Sequence, residues 1–411
     1  MQPEQSEQSE QPTQTTVHRV TSPAGDPAWR VRGYETIRHL LTDPRLGRSH
    51  PDPEHASRYS EAVMFGRPMA SSAHEQEEHA AMRRLLTPSF SARRLALLRP
   101  RVQALVDDLL EAMGRMSPPV DAHEAIAFPL PALVICDLLG VPAADREDFR
   151  RWSDDAADMT DAARSMAGWK ALWRYMRELI ARKQQQPGED VLSDLIAAHS
   201  AREEAVQPLD TAGIDSASQI APLAAGLLFA GHETTVAAID KGIVLLLTNP
   251  TQREALQRDP TLVPSGVEEI LRHPLPVPAP EMSRTPGAPG TSGSGRADGL
   301  PRYANADIEL AGVTIRAGDL VLLDLQDANL DCRRFPMPEA FDIARADNPH
   351  VTFGHGPYYC IGAPLARLEL QALFGTLLQR FPTLRLAVPV EQLHLRSHLL
   401  TGGLSALPIT W

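Results

Sequence analysis

Phe353-Gly-His-Gly-Pro-Tyr-Tyr-Cys360-Ile-Gly362 carries more structural information than any other ten residues of the chain. Gly356 and Gly362 flank the cysteine, and glycine permits positive φ and close approach of the backbone to a flat ligand. Ala363-Pro364 then opens a helix, with proline near its first position. Because a helix N-terminus favours a negative charge, it favours thiolate over thiol at Cys360. The segment therefore predicts a cysteine thiolate beside a planar ligand.

Two other roles are open to a cysteine in such a loop. It could be a buried structural residue in a glycine-rich turn, which is the usual role of a lone cysteine. Zinc binding is a weaker alternative, because no second cysteine lies at ligand spacing from Cys360.

A long apolar segment from Asp215 to Thr248 predicts one helix of about 34 residues and about 50 Å. Glu233 and Thr234 interrupt its apolar centre, and buried polar groups are costly unless they are paired or hydrated. The threonine hydroxyl can hydrogen-bond the carbonyl four residues back, at Ala230, and open the helix locally. The pair is either a functional site or a satisfied polar kink.

The composition excludes several classes of function. A net charge of −12 and a pI near 5.6 argue against nucleic acid or an anionic membrane as a partner. Three cysteines do not form a disulfide framework, which indicates a reducing compartment. Residues 1–16 predict a disordered tail without a secretory signal, and the apolar run at 220–231 is too short to span a bilayer. We therefore expect a cytoplasmic protein without a membrane anchor.

The rest of the chain predicts a mostly helical α+β fold, folded as one unit over residues 17–411. The segment 281–300 is half Gly, Pro and Ser and predicts a flexible insertion. Residues 46–78 predict a long irregular loop, and the chain from His79 to about Ser200 predicts helices. Strands are predicted at 308–310, 313–315 and 320–325, and residues 17–31 have a strand-like pattern with a turn at Asp26-Pro27. Shorter helices are predicted over 33–41 and 364–381.

The pattern Phe353-x-x-Gly356-x-x-x-Cys360-x-Gly362 resembles the haem-binding loop of the cytochrome P-450 family, especially its soluble bacterial, actinobacterial-type members. The resemblance implies haem b with Cys360 as the axial thiolate, Gly362 as a cofactor-contacting residue, and a single cytochrome P-450 fold with a long central helix. It also implies that Glu233 and Thr234 are an acid–alcohol pair that relays two protons to O2, so that one oxygen atom leaves as water. His232 is expected to be a bystander.

The same resemblance implies a set of haem propionate ligands. His79 and Arg83 lie on one helix face at a spacing of four residues, and Arg302 matches the arginine that meets the second propionate. Tyr358 stands where many bacterial members carry a histidine, and it brings a hydrogen bond without positive charge. His355 could share its role.

Glu269 and Arg272 are three residues apart and match a buried structural pair of the family. The family usually adds an arginine at the position of Ala340. Because alanine cannot supply that charge, we expect Arg345 or a backbone carbonyl to substitute.

The family's reaction, as the resemblance implies, inserts one oxygen atom of O2 into a C–H bond or an alkene. We expect a bulky lipophilic substrate, such as a polyketide, macrolide or terpenoid in secondary metabolism. Its predicted contacts are Met64, Phe65, Met69, Phe229, Leu275, Val277 and Leu400. A peroxide-driven peroxygenase and a non-catalytic haem-binding protein are the alternatives.

Electrons for this chemistry must come from separate proteins, since no flavin or iron–sulfur motif follows the haem-binding loop. We expect a monomer that accepts electrons from NAD(P)H through a ferredoxin reductase and a ferredoxin. A local basic patch would steer an acidic ferredoxin. Its predicted members are Arg84, Arg93, Arg94, Arg333, Arg334 and Arg367.

Overall fold

The structure is a computed structural model that describes residues 16–68, 74–205, 216–277, 299–396 and 403–411. The helices are α1 (Tyr34–Leu40), α2 (Val63–Gly66), α3 (Glu75–Leu86), α4 (Ala92–Gly114), α5 (Pro129–Leu139), α6 (Arg146–Ala156), α7 (Ala162–Gln185), α8 (Val191–Ala205), α9 (Ser216–Thr248), α10 (Pro250–Arg258), α11 (Val263–Arg272), α12 (Leu325–Asn329) and α13 (Ala363–Arg380). The strands are β1 (Thr16–Thr21), β2 (Pro27–Arg32), β3 (Leu46–Gly47), β4 (Val120–Asp121), β5 (Leu300–Ala304), β6 (Ile308–Leu310), β7 (Val313–Ile315), β8 (Leu320–Leu323), β9 (Arg385–Leu386) and β10 (Pro408–Thr410).

The long helix α9 runs through the main apolar core, as its sequence predicts. Helices α5, α7, α8, α11 and α13 pack around it. Because most of its circumference is apolar, it buries residues on several sides, including Leu228, Val236 and Val244. The predicted helix is confirmed at 33 residues, and Glu233 and Thr234 lie in its middle.

The largest sheet has the strand order β1-β2-β8-β5-β3. Strand β8 is a continuous buried apolar run, which is typical of a central strand. It pairs with β2 in parallel and with β5 in antiparallel orientation. Strands β4, β10 and β9 form a second sheet, and β6 and β7 form a hairpin. The sheet places β5, which carries Arg302, beside β3 from the N-terminal part of the chain.

Several predicted boundaries differ from the structure. Thr16, placed in the tail, opens β1 and is paired with Arg32. Leu300, placed in the flexible insertion, opens β5, a strand that the sequence analysis missed. The segment 46–78 was predicted to be irregular, but it contains β3, α2 and the first turn of α3. The rest of the predicted tail, and residues 281–298 of the insertion, lie outside the described residues.

The described part of the chain contains no helix that is both long and apolar enough to cross a membrane.

Candidate active site

The loop before α13 holds Cys360 in a fixed backbone conformation. The Cys360 amide donates a hydrogen bond to the Phe353 carbonyl over 2.9 Å. Gly354 and Gly356 have positive φ values of 73° and 70°, whereas Gly362 does not. A Cβ on Gly356 would lie 2.6 Å from Cγ2 of Thr42. Both its conformation and its surroundings therefore require glycine at position 356.

The thiol of Cys360 is exposed and has the start of α13 behind it. Desolvation by the protein on its other sides raises the pKa of this thiol. The amides of Gly362 and Ala363 donate to the sulfur and lower the pKa, so they oppose that effect. Cys136 is buried and has a pKa of about 12, and Cys332 lies on the surface. Of the three cysteines, Cys360 is the one that is exposed and also accepts hydrogen bonds from amides at a helix N-terminus.

One face of α9 is open, whereas the other described side chains of the helix are buried or half-buried. This open face consists of Pro222, Gly226, Ala230 and Thr234, which recur every four residues. The side chains of Pro222, Ala230 and Thr234 are exposed, and a Cβ on Gly226 would meet nothing within 4 Å. Residues four apart share a helix face. The small residues of this face thus leave room for a ligand beside the middle of the helix.

The hydroxyl of Thr234 donates to the Ala230 carbonyl over 2.8 Å, as predicted. The predicted local opening of the helix is not found, because α9 is helical without interruption from Ser216 to Thr248. Gly231 allows close packing against α5, since a Cβ there would lie 3.2 Å from Cδ1 of Ile135. The neighbouring Glu233 is buried, with Oε1 at 3.4 Å from Nδ1 of His232.

A cluster of cationic groups lies between α3, β5 and the cysteine loop. Arg302 is 6% exposed, and its guanidinium lies 5.3 Å from the centre of the Tyr358 ring. Nη1 of Arg83 donates to the Tyr359 carbonyl, beside Cys360, over 2.8 Å. The ring of His79 lies 4.3 Å from that of Tyr358. The structure thus brings together His79, Arg83, Arg302 and Tyr358, as predicted.

Arg48 joins this cluster and was missed by the sequence analysis. Its guanidinium lies 4.9 Å from the Tyr358 ring centre, and its Nε lies 3.8 Å from Oε1 of Glu75. Burial, and then the charge of Arg48, lower the pKa of His79 to about 4 and that of Arg302 to about 10. No carboxylate among the described residues lies within ion-pair distance of Arg302. A buried guanidinium of this kind fits a carboxylate supplied by a ligand.

Glu75 accepts the hydrogen bond of the Tyr358 hydroxyl over 2.8 Å. It also accepts from the hydroxyl of Ser49 and from the amides of Arg48 and Ser49. Burial alone would raise the pKa of Glu75, but these hydrogen bonds outweigh it and lower the pKa. Tyr358 is therefore held by Glu75. His355, expected to share its role, accepts a hydrogen bond from Nε of Arg38 at 3.4 Å on the exposed side of the loop.

Glu269 and Arg272 form a buried ion pair, with both side chains 0% exposed. Both substitutes expected for the missing arginine are present. Arg345 donates to Glu269 over 3.1 Å, and the Ala340 carbonyl accepts from Arg272 over 3.2 Å. Asn348 and the amide of Asp342 also donate to Glu269. This network ties α11 to the segment that leads into the cysteine loop.

The predicted substrate contacts have mixed outcomes. Leu275 is half-buried and Val277 is 9% exposed at the end of the segment after α11. Phe229 is 1% exposed and packs in the apolar core, next to the open face of α9 and not on it. The others are not characterised: Met69 and Leu400 lie outside the described residues, and only the backbone of Met64 and Phe65, in α2, is described.

The predicted basic patch is largely wrong. Most of its arginines are paired with carboxylates, which lie within 13 residues of Arg333 and Arg334 but about 100 residues away from Arg94 and Arg367. These pairs are Arg94 with Asp194, Arg333 with Asp331, Arg334 with Asp347, and Arg367 with Glu268. Arg84 and Arg93 are exposed and have no ion pair among the described residues. Arg367 has a structural role instead, since it also donates to the Tyr359 hydroxyl.

An open cysteine at a helix N-terminus and a buried cationic cluster beside it define a haem-thiolate protein. The Cytochrome P450 family model matches residues 296–397. Pentalenolactone synthase of Streptomyces exfoliatus is 40% identical over 94% of this chain and 91% of its own length. Mycinamicin IV hydroxylase/epoxidase of Micromonospora griseorubida is 37% identical over 96% and 92%. The structure of PimD, a polyene macrolide antibiotic pimaricin epoxidase, matches with a TM-score of 0.78 and 38% identity over 97% and 93%.

The chain belongs to the cytochrome P450 family, and it is a haem-thiolate monooxygenase with the family's α+β fold. Its cofactor is haem b with a cysteine thiolate as axial ligand. The residues present fit this group, because Cys360 has an open sulfur and Arg302 is buried without a carboxylate partner among the described residues. Like other members, the enzyme uses O2 and a redox partner.

Replacing Arg302 by leucine is expected to speed haem loss about ten- to a hundredfold, because a charge-assisted hydrogen bond contributes about 1.5–3 kcal/mol. Leucine keeps the buried position apolar and packed, so the fold should persist. Transfer of haem to excess apomyoglobin measures the rate. Arg316→Leu is the control, since Arg316 pairs with Asp307 on the surface. Equal rates of haem loss in both variants would show that Arg302 does not bind a propionate.

Proposed function

We propose that this enzyme hydroxylates or epoxidises a bulky lipophilic secondary metabolite, of the macrolide, polyketide or terpenoid type. The observation that carries the proposal is the open face of α9, where Gly226 and Ala230 leave space beside the hydroxyl of Thr234. Apolar walls with few polar groups are typical of sites for lipophilic ligands. The similarity to a mycinamicin hydroxylase/epoxidase and to a pimaricin epoxidase supports a macrolide-sized substrate.

Cys360 is the proposed axial ligand. When bound through a thiolate, haem supplies the activation of O2. The amides of Gly362 and Ala363 stabilise negative charge on the sulfur, and Arg83 holds the Tyr359 carbonyl, which fixes the loop. Arg302, His79 and Arg83 would hold the propionates.

Glu233 and Thr234 are the proposed proton relay. The Thr234 hydroxyl lies on the open face of α9, and its hydrogen bond to Ala230 fixes the position of its oxygen. Glu233 is adjacent and buried, so it can hold a proton out of contact with bulk water. In this proposal Thr234 passes protons from the acid toward the ligand site, and Leu275 and Val277 contribute to an apolar wall.

A ferredoxin with its reductase is the proposed electron source, and NAD(P)H the reductant. Arg84 and Arg93 support it, because both are exposed and cationic, and Arg84 directly follows Arg83 on α3. Electrostatic steering by such residues depends on ionic strength. All three cysteines are free thiols, which fits the proposed cytoplasmic location.

Reconstitution tests the proposed function. The enzyme is combined with ferredoxin, ferredoxin reductase, NAD(P)H and isotopically labelled O2, and macrolides, their precursors and terpenoids are supplied as substrates. We expect a product that carries one labelled oxygen atom. No product and no substrate-dependent NAD(P)H consumption across the panel would favour a non-catalytic haem protein. Full turnover with peroxide alone would favour a peroxygenase.

Thr234→Ala is expected to lower product formed per NAD(P)H roughly ten- to a hundredfold, because a positioned proton donor typically contributes 10²- to 10⁴-fold and water replaces part of it. NAD(P)H consumption should continue and yield peroxide. The measurement compares product, NAD(P)H and peroxide in the reconstituted system.

Thr235→Ala is the matched control for this variant. Thr235 also donates to a carbonyl four residues back, Gly231 O at 3.1 Å, but its side chain is buried. We expect it to leave the ratio of product to NAD(P)H nearly unchanged. If Thr234→Ala formed as much product per NAD(P)H as the wild type (equal coupling), the relay would be ruled out.

A further inference from the structure

His232, adjacent to Glu233 on α9, has a fixed hydrogen-bonding pattern. Its side chain is 0% exposed, and its ring packs edge-on against Phe128 and Phe149, with centroids 4.5 Å and 5.8 Å away. Nε2 lies 3.3 Å from the Phe128 carbonyl oxygen. Because a carbonyl only accepts hydrogen bonds, Nε2 must carry the hydrogen.

This assignment determines the state of the second ring nitrogen. Nδ1 of His232 lies 3.4 Å from Oε1 of Glu233 and makes no hydrogen bond with the described residues. In a neutral ring that donates from Nε2, Nδ1 presents a lone pair. A carboxylate opposite would present another, and two buried acceptors that face each other are unfavourable. One additional proton, on either atom, removes the conflict.

We infer that His232 and Glu233 jointly hold one exchangeable proton between Nδ1 and Oε1, and that His232 is the positioning residue that keeps Glu233 supplied with it. The inference rests on the relay proposed above. In each transfer one proton leaves Glu233 toward Thr234, and one proton returns to the pair, so no electrons or heavy atoms move.

Among the described residues, two other segments place charged groups near the pair. Asp154, on α6, has a buried Oδ1 without a hydrogen bond among the described residues. Burial, and then the nearby Glu233 carboxylate, raise the pKa of Asp154, whereas His232, Arg396 and Arg150 act in the opposite direction. Asp154 is half-buried, so it is partly accessible to protons from solvent. It is therefore the group that we expect to return the proton.

The same helix carries a matched control pair. Nδ1 of His123 lies 2.9 Å from Oδ2 of Asp240, and both side chains are buried. Asp240 is six residues after Thr234 and also accepts a hydrogen bond from the amide of Leu404. This pair has the same chemistry as His232 and Glu233 but no place in the proposed relay. His123→Phe therefore reports the cost of losing a buried histidine–carboxylate pair by itself.

Stability of the ferric holoenzyme tests the shared proton without any turnover. His232→Phe, Glu233→Gln and the double variant are compared by denaturant unfolding. We expect each single variant to be less stable and the double variant to lose less than the sum, because contacting groups do not act additively. His123→Phe combined with Glu233→Gln should be additive. Additive losses for His232 and Glu233 would overturn the inference.

The amount of product formed per NAD(P)H tests whether His232 keeps Glu233 supplied with a proton. In the reconstituted enzyme we expect His232→Phe to lower product per NAD(P)H about tenfold, a smaller loss than that of a direct proton donor, and to shift the pH at which coupling is half-maximal. His123→Phe should do neither. Unchanged coupling in His232→Phe with a loss in Glu233→Gln would overturn this inference alone. Unchanged coupling in Glu233→Gln would overturn both this inference and the proposed relay.

Discussion

A Cys360→Ser variant is expected to lose all NAD(P)H-driven oxygenation and the absorption band that a thiolate ligand gives to the reduced, CO-bound protein. A serine hydroxyl stays protonated where the cysteine ionises, so it cannot donate the electron density that favours O–O cleavage. The amide hydrogen bonds from Gly362 and Ala363 stabilise negative charge and not a neutral hydroxyl. The optical spectrum and the turnover assay, run on the same preparation, measure both losses.

Cys332→Ser is the matched control for this variant. Cys332 is also exposed and follows Asp331 in a surface turn, but no helix N-terminus lies behind it. We expect the control to keep the spectrum and the activity of the wild type. A Cys360→Ser protein with unchanged pigment and unchanged oxidation would contradict the assignment of Cys360 as the ligand.

The features that could be predicted from the sequence are those that local geometry determines. The hydrogen bond from Thr234 to Ala230 follows from the four-residue spacing of a helix, and the structure has it at 2.8 Å. The pair of Glu269 and Arg272 was predictable for the same reason, because residues three apart in a helix lie on one face. The loop at Cys360 was also predictable, because its glycines mark positions where the backbone can take positive φ values, as Gly354 and Gly356 do.

The features that could not be predicted depend on distant parts of the chain. Arg48 and Glu75 meet Tyr358 only because β3 pairs with β5 and α3 packs near the cysteine loop. The prediction of a basic patch failed for the same reason at Arg94 and Arg367. Arg367 is neutralised by Glu268, 99 residues earlier, and nothing near position 367 indicates such a partner. Charge in the sequence is therefore a poor guide to charge on the surface.

Glu269→Gln is expected to destabilise the protein by about 3–5 kcal/mol, because it leaves buried cations without their counter-charge. Among the described residues, Glu269 is the one carboxylate that forms ion pairs with Arg272, whose side chain is 0% exposed, and with Arg345, at 8%. A loss of this size is comparable with the whole stability of many domains, about 5–15 kcal/mol. We therefore expect little soluble holoenzyme at growth temperature, and any that is purified should unfold at a much lower denaturant concentration.

Glu268→Gln separates this effect from the general cost of removing a glutamate from α11. Burial would raise the pKa of Glu268, but hydrogen bonds from Arg367 and His350 lower it to about 2. Its ion pair with Arg367 is nonetheless partly open to water, with side-chain exposures of 28% and 26%. Because solvent partly compensates the cation there, we expect a loss of about 1–2 kcal/mol, smaller than that of Glu269→Gln. Since the two glutamates are adjacent on one helix, losses of equal size would show that Glu269 contributes no more than an ordinary helix ion pair.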